Sequence, residues 1–437
     1  MEHSLSAGVC ACGKVHNPAS FACETGSGAI RRLPEYIRKF HAKKVFLLAD
    51  CNTFSVAGEQ VCKLLQENTI AYSTYIFQDA HLEPDETSVG RAVMHFDAAC
   101  DLIIGIGSGV MNDIGKILSN VTGRKYIIVG TAPSMDGYAS ATSSMALEGL
   151  KVSANSRCAD VIIGDTDILK NAPMHMLKAG IGDMLAKYIS IAEWRISHIV
   201  TGEYYCEAVA DLVRTALKKC ADNAEGLLKR EEQSVEAVFE GLLICGAAMN
   251  YAGVSRPASG VEHYFSHIWD MRGLEFGTPI DLHGIQCAVG TAQAVKLYDV
   301  LRKLRPNKET AEAYVNNFSY EDWKAQLRAF LGRGGETMIA QEKREGKYNK
   351  QAHPARLATL LENWDTILKI IDEELPTAEQ LKELFVKLQM SDDYASLGLD
   401  RKTVQMTFRA TKDIRDKYVL SRLAWDLGIM EDLCEIL

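Results

Sequence analysis

The chain has 437 residues, 47% hydrophobic and 24% charged, which predicts an ordinary globular protein of two or three domains with ample core. Its formal net charge of −9 argues against a nucleic-acid-binding function, which needs a basic surface, but is compatible with a local cationic pocket for a small anion. The N-terminus "MEHSLSAGVCACGKVH" lacks a basic segment followed by a long apolar core, and no apolar run of about 18 residues appears, so neither a secretion signal nor a membrane span is expected.

On that basis the twelve cysteines read as reduced thiols, and a cytoplasmic location is expected. Cys10, Cys12, His16 and Cys23 cluster near the start. Three thiols and an imidazole can bind zinc, but the spacing is not that of a usual finger. An inert N-terminal extension over residues 1–24 is the competing reading.

From residue 25 to about 167 strand-like and helix-like runs alternate. "KKVFLLAD" (Lys43 to Asp50), "IAYSTYIF", "DLIIGIGSG" and "YIIVGTAPS" read as short apolar strands. "VAGEQVCKLLQEN", "ETSVGRAVMHFDAAC" and "VMNDIGKILSNVTG" carry helical periodicity between them. The alternation predicts a Rossmann-like α/β domain with a parallel sheet. From residue 168 to 437 the pattern is helical, as in "MLKAGIGDMLAKYISIAEWRIS", "SVEAVFEGLLICGAAMNYAG" and "TAEQLKELFVKLQM". The polar stretch "QEKREGKYNKQAH" reads as a surface loop.

Five stretches carry chemistry. In "GIGSGVMNDIGK" a strand runs into three glycines and then a helix, with Asn112 and Asp113 in its first turn. Backbone N–H groups there can approach a pyrophosphate at a helix N-terminus. A plain strand-to-helix turn is the simpler alternative, because the spacing is not G-x-G-x-x-G. Asp50 ends a strand, where a carboxylate accepts from a ribose 2′-OH and repels a 2′-phosphate, favouring NAD over NADP. It can equally be a helix N-cap. "GTAPSMDGYASATSSM" follows a strand, is rich in small hydroxyl residues and contains Asp136. It is either a ligand loop or a bland surface loop.

"AGIGDMLAKY" places Asp183 and Lys187 four apart, an ion pair or one hard metal ligand. "SGVEHYFSHIWDM" sets His263 and His267 one helical turn apart, and "PIDLHGIQCAVGT" contains His283. A lone histidine in such a helix is usually a satisfied core residue. Asp183, His263 and His283 each sit in a mostly apolar helix, where an unpartnered polar group is costly. One carboxylate and two imidazoles with open positions suit a divalent Lewis acid such as Zn, Ni, Fe or Co.

Together these motifs, with "SRPASGVEHYFSHIWDM" and "IRDKYVLSRLAWDLG", resemble the superfamily of iron-dependent alcohol dehydrogenases and dehydroquinate synthases. Within it they are most similar to the glycerol-1-phosphate dehydrogenases, above all the bacterial branch. The resemblance runs from about residue 25 to the end. It implies a dehydroquinate synthase-like fold and metal ligation by Asp183, His263 and His283. It implies cofactor contacts at Asp50, at Gly107, Ser108, Gly109, Val110, Met111, Asn112 and Asp113, at Thr131, Ala132, Pro133 and Ser134, and at Ser140. Substrate contacts fall on Asp136, Asp183 and His267, with His267 as proton relay. Lys187 stands where alcohol dehydrogenases often place a fourth ligand, so a three-ligand site is expected.

The implied reaction is NAD-linked, metal-dependent reduction of dihydroxyacetone phosphate, a small phosphorylated triose, to sn-glycerol 1-phosphate in a cytoplasmic homodimer of phospholipid metabolism. Arg256 and Lys187 are candidate phosphate-binding cations, although Arg256 can instead brace its loop. A dehydroquinate synthase-type elimination fits these motifs less well. A glycerol or polyol dehydrogenase competes with the phosphate-specific reading, as does a non-catalytic sensor that binds metal and nucleotide without turnover.

Overall fold

The computed structural model describes residues 8–16, 21–79, 81–148 and 150–437. Six parallel strands form one sheet: β1 (Ala22–Gly26), β2 (Lys44–Asp50), β3 (Ala71–Phe77), β4 (Leu102–Gly107), β5 (Lys125–Gly130) and β8 (Val161–Asp165), in the order β1-β8-β5-β4-β2-β3. β6 (Thr142–Leu147) and β7 (Leu150–Asn155) form a separate antiparallel hairpin. Every residue of β4 is buried, as expected for a central parallel strand covered on both faces. β4 lies beside β2 and β5, so the chain winds outward in two directions from the β2–β4 pair. That switch point brings the carboxyl ends of β2 and β4, Asp50 and Gly107, side by side.

Two glycines of the Gly-rich motif serve packing. A Cβ at Gly105 in β4, or at Gly115 in helix α1 (Gly109–Thr122), would collide with the Tyr126 ring. The fully buried Tyr126 therefore occupies space that only glycine leaves open on both elements. At Gly107 (φ +157°) a Cβ would lie 2.5 Å from Met111 Cγ, so the strand-to-helix turn depends on its absence.

The chain divides into two compact units. The first comprises Met1–Met184 and Asp211–Val254, the second Leu185–Ala210 and Ser255–Leu437. The first strand begins at Ala22, inside the stretch read as an extension. The sheet unit contains α2 (Met174–Leu185) up to Met184, most of α4 (Glu207–Asp222), and α5 (Glu232–Ala252). Between α2 and α4 the chain forms α3 (Lys187–Thr201). By length and composition alone α5 is apolar enough to cross a membrane, but it is a mostly buried helix of the sheet unit. Its most apolar window is 78% buried, and Phe239 fills the space left by the absent Cβ of Gly164 in β8.

The second unit is helical. α6 (Val261–Phe276) and α7 (His283–Leu301) approach closely because Gly290 has no side chain, and a Cβ there would sit 2.7 Å from the Glu262 carbonyl oxygen. α8 (Arg401–Thr411) packs on α6 through stacked Phe265 and Phe408 and a Trp269 Nε1 to Thr407 Oγ1 hydrogen bond of 3.2 Å. The stretch from Gln341 to His353 is largely exposed, as its polarity suggests, but it is not loop throughout. Its first part is helical, Tyr348 is buried with its hydroxyl on Asp413, and buried His353 reaches the Asp426 carbonyl at 2.8 Å. Polar groups with internal partners can be buried, and composition alone does not reveal those partners.

Candidate active site

At the switch point, Ser108 precedes α1 without a side-chain cap, and Thr131 N–H donates to the Gly107 carbonyl at 3.1 Å. The Asn112 and Lys116 side chains turn towards the loop after β5. Asn112 Nδ2 and Lys116 Nζ both donate to the Gly137 carbonyl at 3.1 Å, and Lys116 also reaches Ser140 Oγ at 3.3 Å. Asp113 pairs with Lys116 at 3.1 Å. Burial raises the Asp113 carboxyl above the usual range, against the pull of Lys116. These side chains build the loop, and the Asn112 N–H closes the first turn on the Ser108 carbonyl at 2.9 Å. Asn112 Oδ1 is buried without a hydrogen-bond partner.

Asp50 is itself an N-cap. Its Oδ1 accepts from Asn52 N at 2.8 Å and Thr53 N at 2.9 Å, while Thr53 Oγ1 accepts a bond from Asp50 N. The capping alternative therefore holds at this carboxylate, whose position at the switch point also suits a ribose. In the loop after β5, Ala132 and Pro133 are packed from two sides. Tyr138 Oη donates to the Ala132 carbonyl at 2.8 Å, and the Pro133 carbonyl occupies the space where a Cβ of Gly180 would lie.

In the second unit His263, His283 and Cys287 each bring one possible ligand atom to within 4.8 Å of one another, and Asp183 belongs to the first unit. Asp183 is fully buried in the last turn of α2, the helix that runs into the second unit, and its Oδ2 accepts from Asp136 N–H at 2.9 Å. His263 Nδ1 meets Glu262 Oε1 at 2.8 Å, and His283 Nδ1 meets Ser266 Oγ at 3.0 Å. With both Nδ1 atoms engaged, each ring presents Nε2, the arrangement that orients a metal-binding histidine. The donor set fits a divalent ion.

Cys287, one turn after His283, lies 3.5 Å from its Nε2. Burial alone would raise this thiol, but His263 and His283 outweigh burial and bring it below its ordinary value. The thiol was not among the ligands expected from sequence. Its signal was the i,i+4 spacing from His283. The His267 ring stacks on that of His283 with centroids 5.8 Å apart, and the His263 and His283 centroids are 5.0 Å apart.

Behind His263 lies a carboxylate pair that sequence reasoning also missed. Glu262 is fully buried, and its Oε2 has no hydrogen-bond partner. Glu193 on α3 accepts from Val261 N at 2.9 Å and from Leu420 N at 2.8 Å, tying together the starts of α6 and α9 (Leu420–Asp426). Burial, reinforced by the neighbouring Glu262 charge, pushes the Glu193 carboxyl up to about 8.

Both cations proposed for a phosphate are buried and engaged with the protein's own oxygens. Arg256 is 1% exposed and donates to both oxygens of Glu203, to Ser197 Oγ and to the Tyr418 carbonyl. Lys187 is fully buried and donates to the Ala258 carbonyl at 3.1 Å. Both brace the 255–260 loop, as the bracing alternative for Arg256 expects. Cys23 is not a partner of Cys10, Cys12 and His16. It lies in β1, where burial pushes its thiol up to about 12.

Residues 24–173 match the family described as iron-containing alcohol dehydrogenase. The chain is 33% identical over 293 residues to a glycerol-1-phosphate dehydrogenase [NAD(P)+] of Halalkalibacterium halodurans, covering 66% of this chain and 73% of the relative. It is 27% identical to the enzyme of that name from Geobacillus stearothermophilus over 410 residues, 93% of this chain and 92% of the relative. The fold matches the crystal structure of a probable glycerol dehydrogenase from Sinorhizobium meliloti with a TM-score of 0.58 at 16% identity, over 95% of this chain and 98% of that one. Sequence similarity and the parallel-sheet fold agree: the chain belongs to the glycerol-1-phosphate dehydrogenases, metal-dependent and NAD(P)-linked oxidoreductases among the iron-containing alcohol dehydrogenases.

Proposed function

We propose that the chain catalyses the reversible, NADH-linked reduction of dihydroxyacetone phosphate to sn-glycerol 1-phosphate. The similarity to relatives named for glycerol 1-phosphate, 33% identity over 293 residues, is the observation that carries this reading. Asp183, His263 and His283 would hold the divalent ion, with Cys287 adjacent. When bound, the ion supplies a Lewis acid for the ketone oxygen and the dinucleotide supplies the hydride.

The chain's own residues do the positioning. The Asp136 N–H holds the Asp183 carboxylate, and Glu262 and Ser266 orient the His263 and His283 rings. Burial of Asp183, His263 and Cys287 keeps bulk water from these groups. The Asp136 carboxylate orients the substrate hydroxyls, and His267 delivers a proton through them from an imidazole nitrogen. The first turn of α1 receives the pyrophosphate, and Asp50 the adenosine ribose, which favours NAD. A cytoplasmic homodimer serving phospholipid synthesis belongs to the same reading.

A polyol dehydrogenase is the second reading. The engagement of Arg256 and Lys187 with the protein's own oxygens favours it, because neither offers a ready phosphate site. NADH oxidation by the metal-loaded protein separates the two. The phosphorylated ketone is expected to exceed unphosphorylated dihydroxyacetone by at least about 100-fold in kcat/KM. The reverse preference would move the chain to the polyol dehydrogenases, and no oxidation with either substrate would reject both readings.

A further inference from the structure

We propose, resting on the dihydroxyacetone phosphate reading, that Tyr264, Arg415 and Lys417 form the subsite for the phosphate group of the substrate, built wholly from residues of the second unit.

Two buried donors there lack an ionised acceptor. Tyr264 lies on α6 and is fully buried, and its Oη has no hydrogen-bond partner. A buried hydroxyl without an acceptor is costly, and native proteins keep few of them. Lys417 stands just before α9, in the "IRDKYVLSRLAWDLG" motif, and is 7% exposed. Its Nζ donates to the Ser259 carbonyl at 2.8 Å, a neutral acceptor, and lies 5.6 Å from the centroid of the Tyr264 ring. Among the described residues no carboxylate forms an ion pair with it. An ammonium has three protons to donate, and a lysine is almost never buried unless it is paired. One anion that accepts from Lys417 Nζ and Tyr264 Oη meets both needs.

The surroundings are cationic. Burial lowers the Lys417 ammonium well below its ordinary value, and the charges of Arg256 and Arg415 lower it further, against the smaller opposing pull of Glu262 and Glu203. Burial raises the Tyr264 hydroxyl, while Arg415 and Arg256 pull it down. Arg256 is committed to Glu203. Arg415 is half-buried and its charge acts on both Tyr264 and Lys417, so it adds a guanidinium, the group that best matches a phosphate.

The position also suits the substrate. The Tyr264 and His267 ring centroids are 6.4 Å apart, and those of His267 and His263 are 6.5 Å apart. The hydroxyl therefore belongs to the same stretch of α6 as the proposed ligand and the proposed proton relay. In dihydroxyacetone phosphate only a methylene and an ester oxygen separate the carbonyl carbon from phosphorus, so neighbouring side chains must grip the two ends.

The test uses the metal-loaded full chain with NADH. Lys417→Met and Tyr264→Phe, which largely keep side-chain volume, are each expected to lower the kcat/KM ratio of dihydroxyacetone phosphate to unphosphorylated dihydroxyacetone by at least about 10-fold, chiefly through the KM of the phosphorylated ketone. A wild type that prefers the phosphorylated ketone, with that ratio unchanged in both variants, overturns the subsite and leaves the reaction reading intact. Should Lys417→Met fail to fold, Tyr264→Phe, which loses a single oxygen, decides. A second measurement needs no turnover. Calorimetric titration with inorganic phosphate, at saturating NADH so that the dinucleotide site is filled, is expected to show binding to the wild type that weakens at least about 10-fold in Tyr264→Phe and Lys417→Met. Equal binding in all three, or none to the wild type, overturns the subsite. Phosphate binding that depends on these residues in a protein that reduces neither ketone supports the subsite and rejects the substrate reading.

Discussion

His263 and His267 lie one helical turn apart on α6 but face different tasks in the proposed mechanism. His263, braced by Glu262, is a ligand, whereas His267 stacks on His283 and handles a proton. His263→Ala is expected to lose the ion and at least about 100-fold in kcat together. His267→Ala should keep the ion and lose about 10²- to 10⁴-fold in kcat. Metal content measured beside the rate checks both, and a His263→Ala enzyme with full metal and normal rate would reject the ligand assignment. Glu262→Gln should weaken metal affinity about 10- to 100-fold, with activity recovered by excess metal, in a titration against a competing chelator. Unchanged affinity would assign the carboxylate to packing alone. Asp183, His263 and His283 were legible because ionisable groups on apolar helices need partners. Cys287 was passed over despite its i,i+4 spacing from His283, because a buried thiol reads as a small hydrophobic residue.

Between elements, the Glu193 carboxyl clamps the starts of α6 and α9 while its own ionisation is suppressed. Its value rises from the ordinary 4.5 to about 8, so the native state holds a proton that the unfolded chain releases between those limits. This contribution to stability is fully present below the lower value and is lost as pH rises through the upper one. Glu193→Gln imitates the protonated form. Its thermal midpoint is expected to fall less than the wild type's over that interval, as calorimetry across pH would show. Parallel curves would place the titration elsewhere. β2, β3, β4 and β5 were readable as apolar runs, whereas β1 was not. "ACETG" carries no hydrophobic pattern, and as an edge strand it takes its identity from pairing with β8. The glycines of "GIGSGVMNDIGK" looked like phosphate-binding residues, but Gly105 and Gly115 accommodate Tyr126.

For the whole molecule, ion binding and folding are linked. Removing divalent ions with a chelator should lower the melting temperature. Restoring an ion to about 100 times its Kd should return about 2.7 kcal/mol per site, measured at fixed protein concentration. A midpoint indifferent to the chelator would mean that the native chain binds no ion appreciably. The order of residues was enough to delimit the α/β region and the helical region after it, and to single out Asp183, His263 and His283 as ligand candidates. Periodicity and residue type are local properties that survive without coordinates. It took the folded chain to show that Cys23 lies in a strand paired with β8, that Arg256 and Lys187 are held by the protein's own oxygens, and that Glu193 ties the start of α6 to that of α9. Each of those outcomes depends on which distant residues the packing brings within hydrogen-bond or ligand distance, and nothing in the local pattern encodes that.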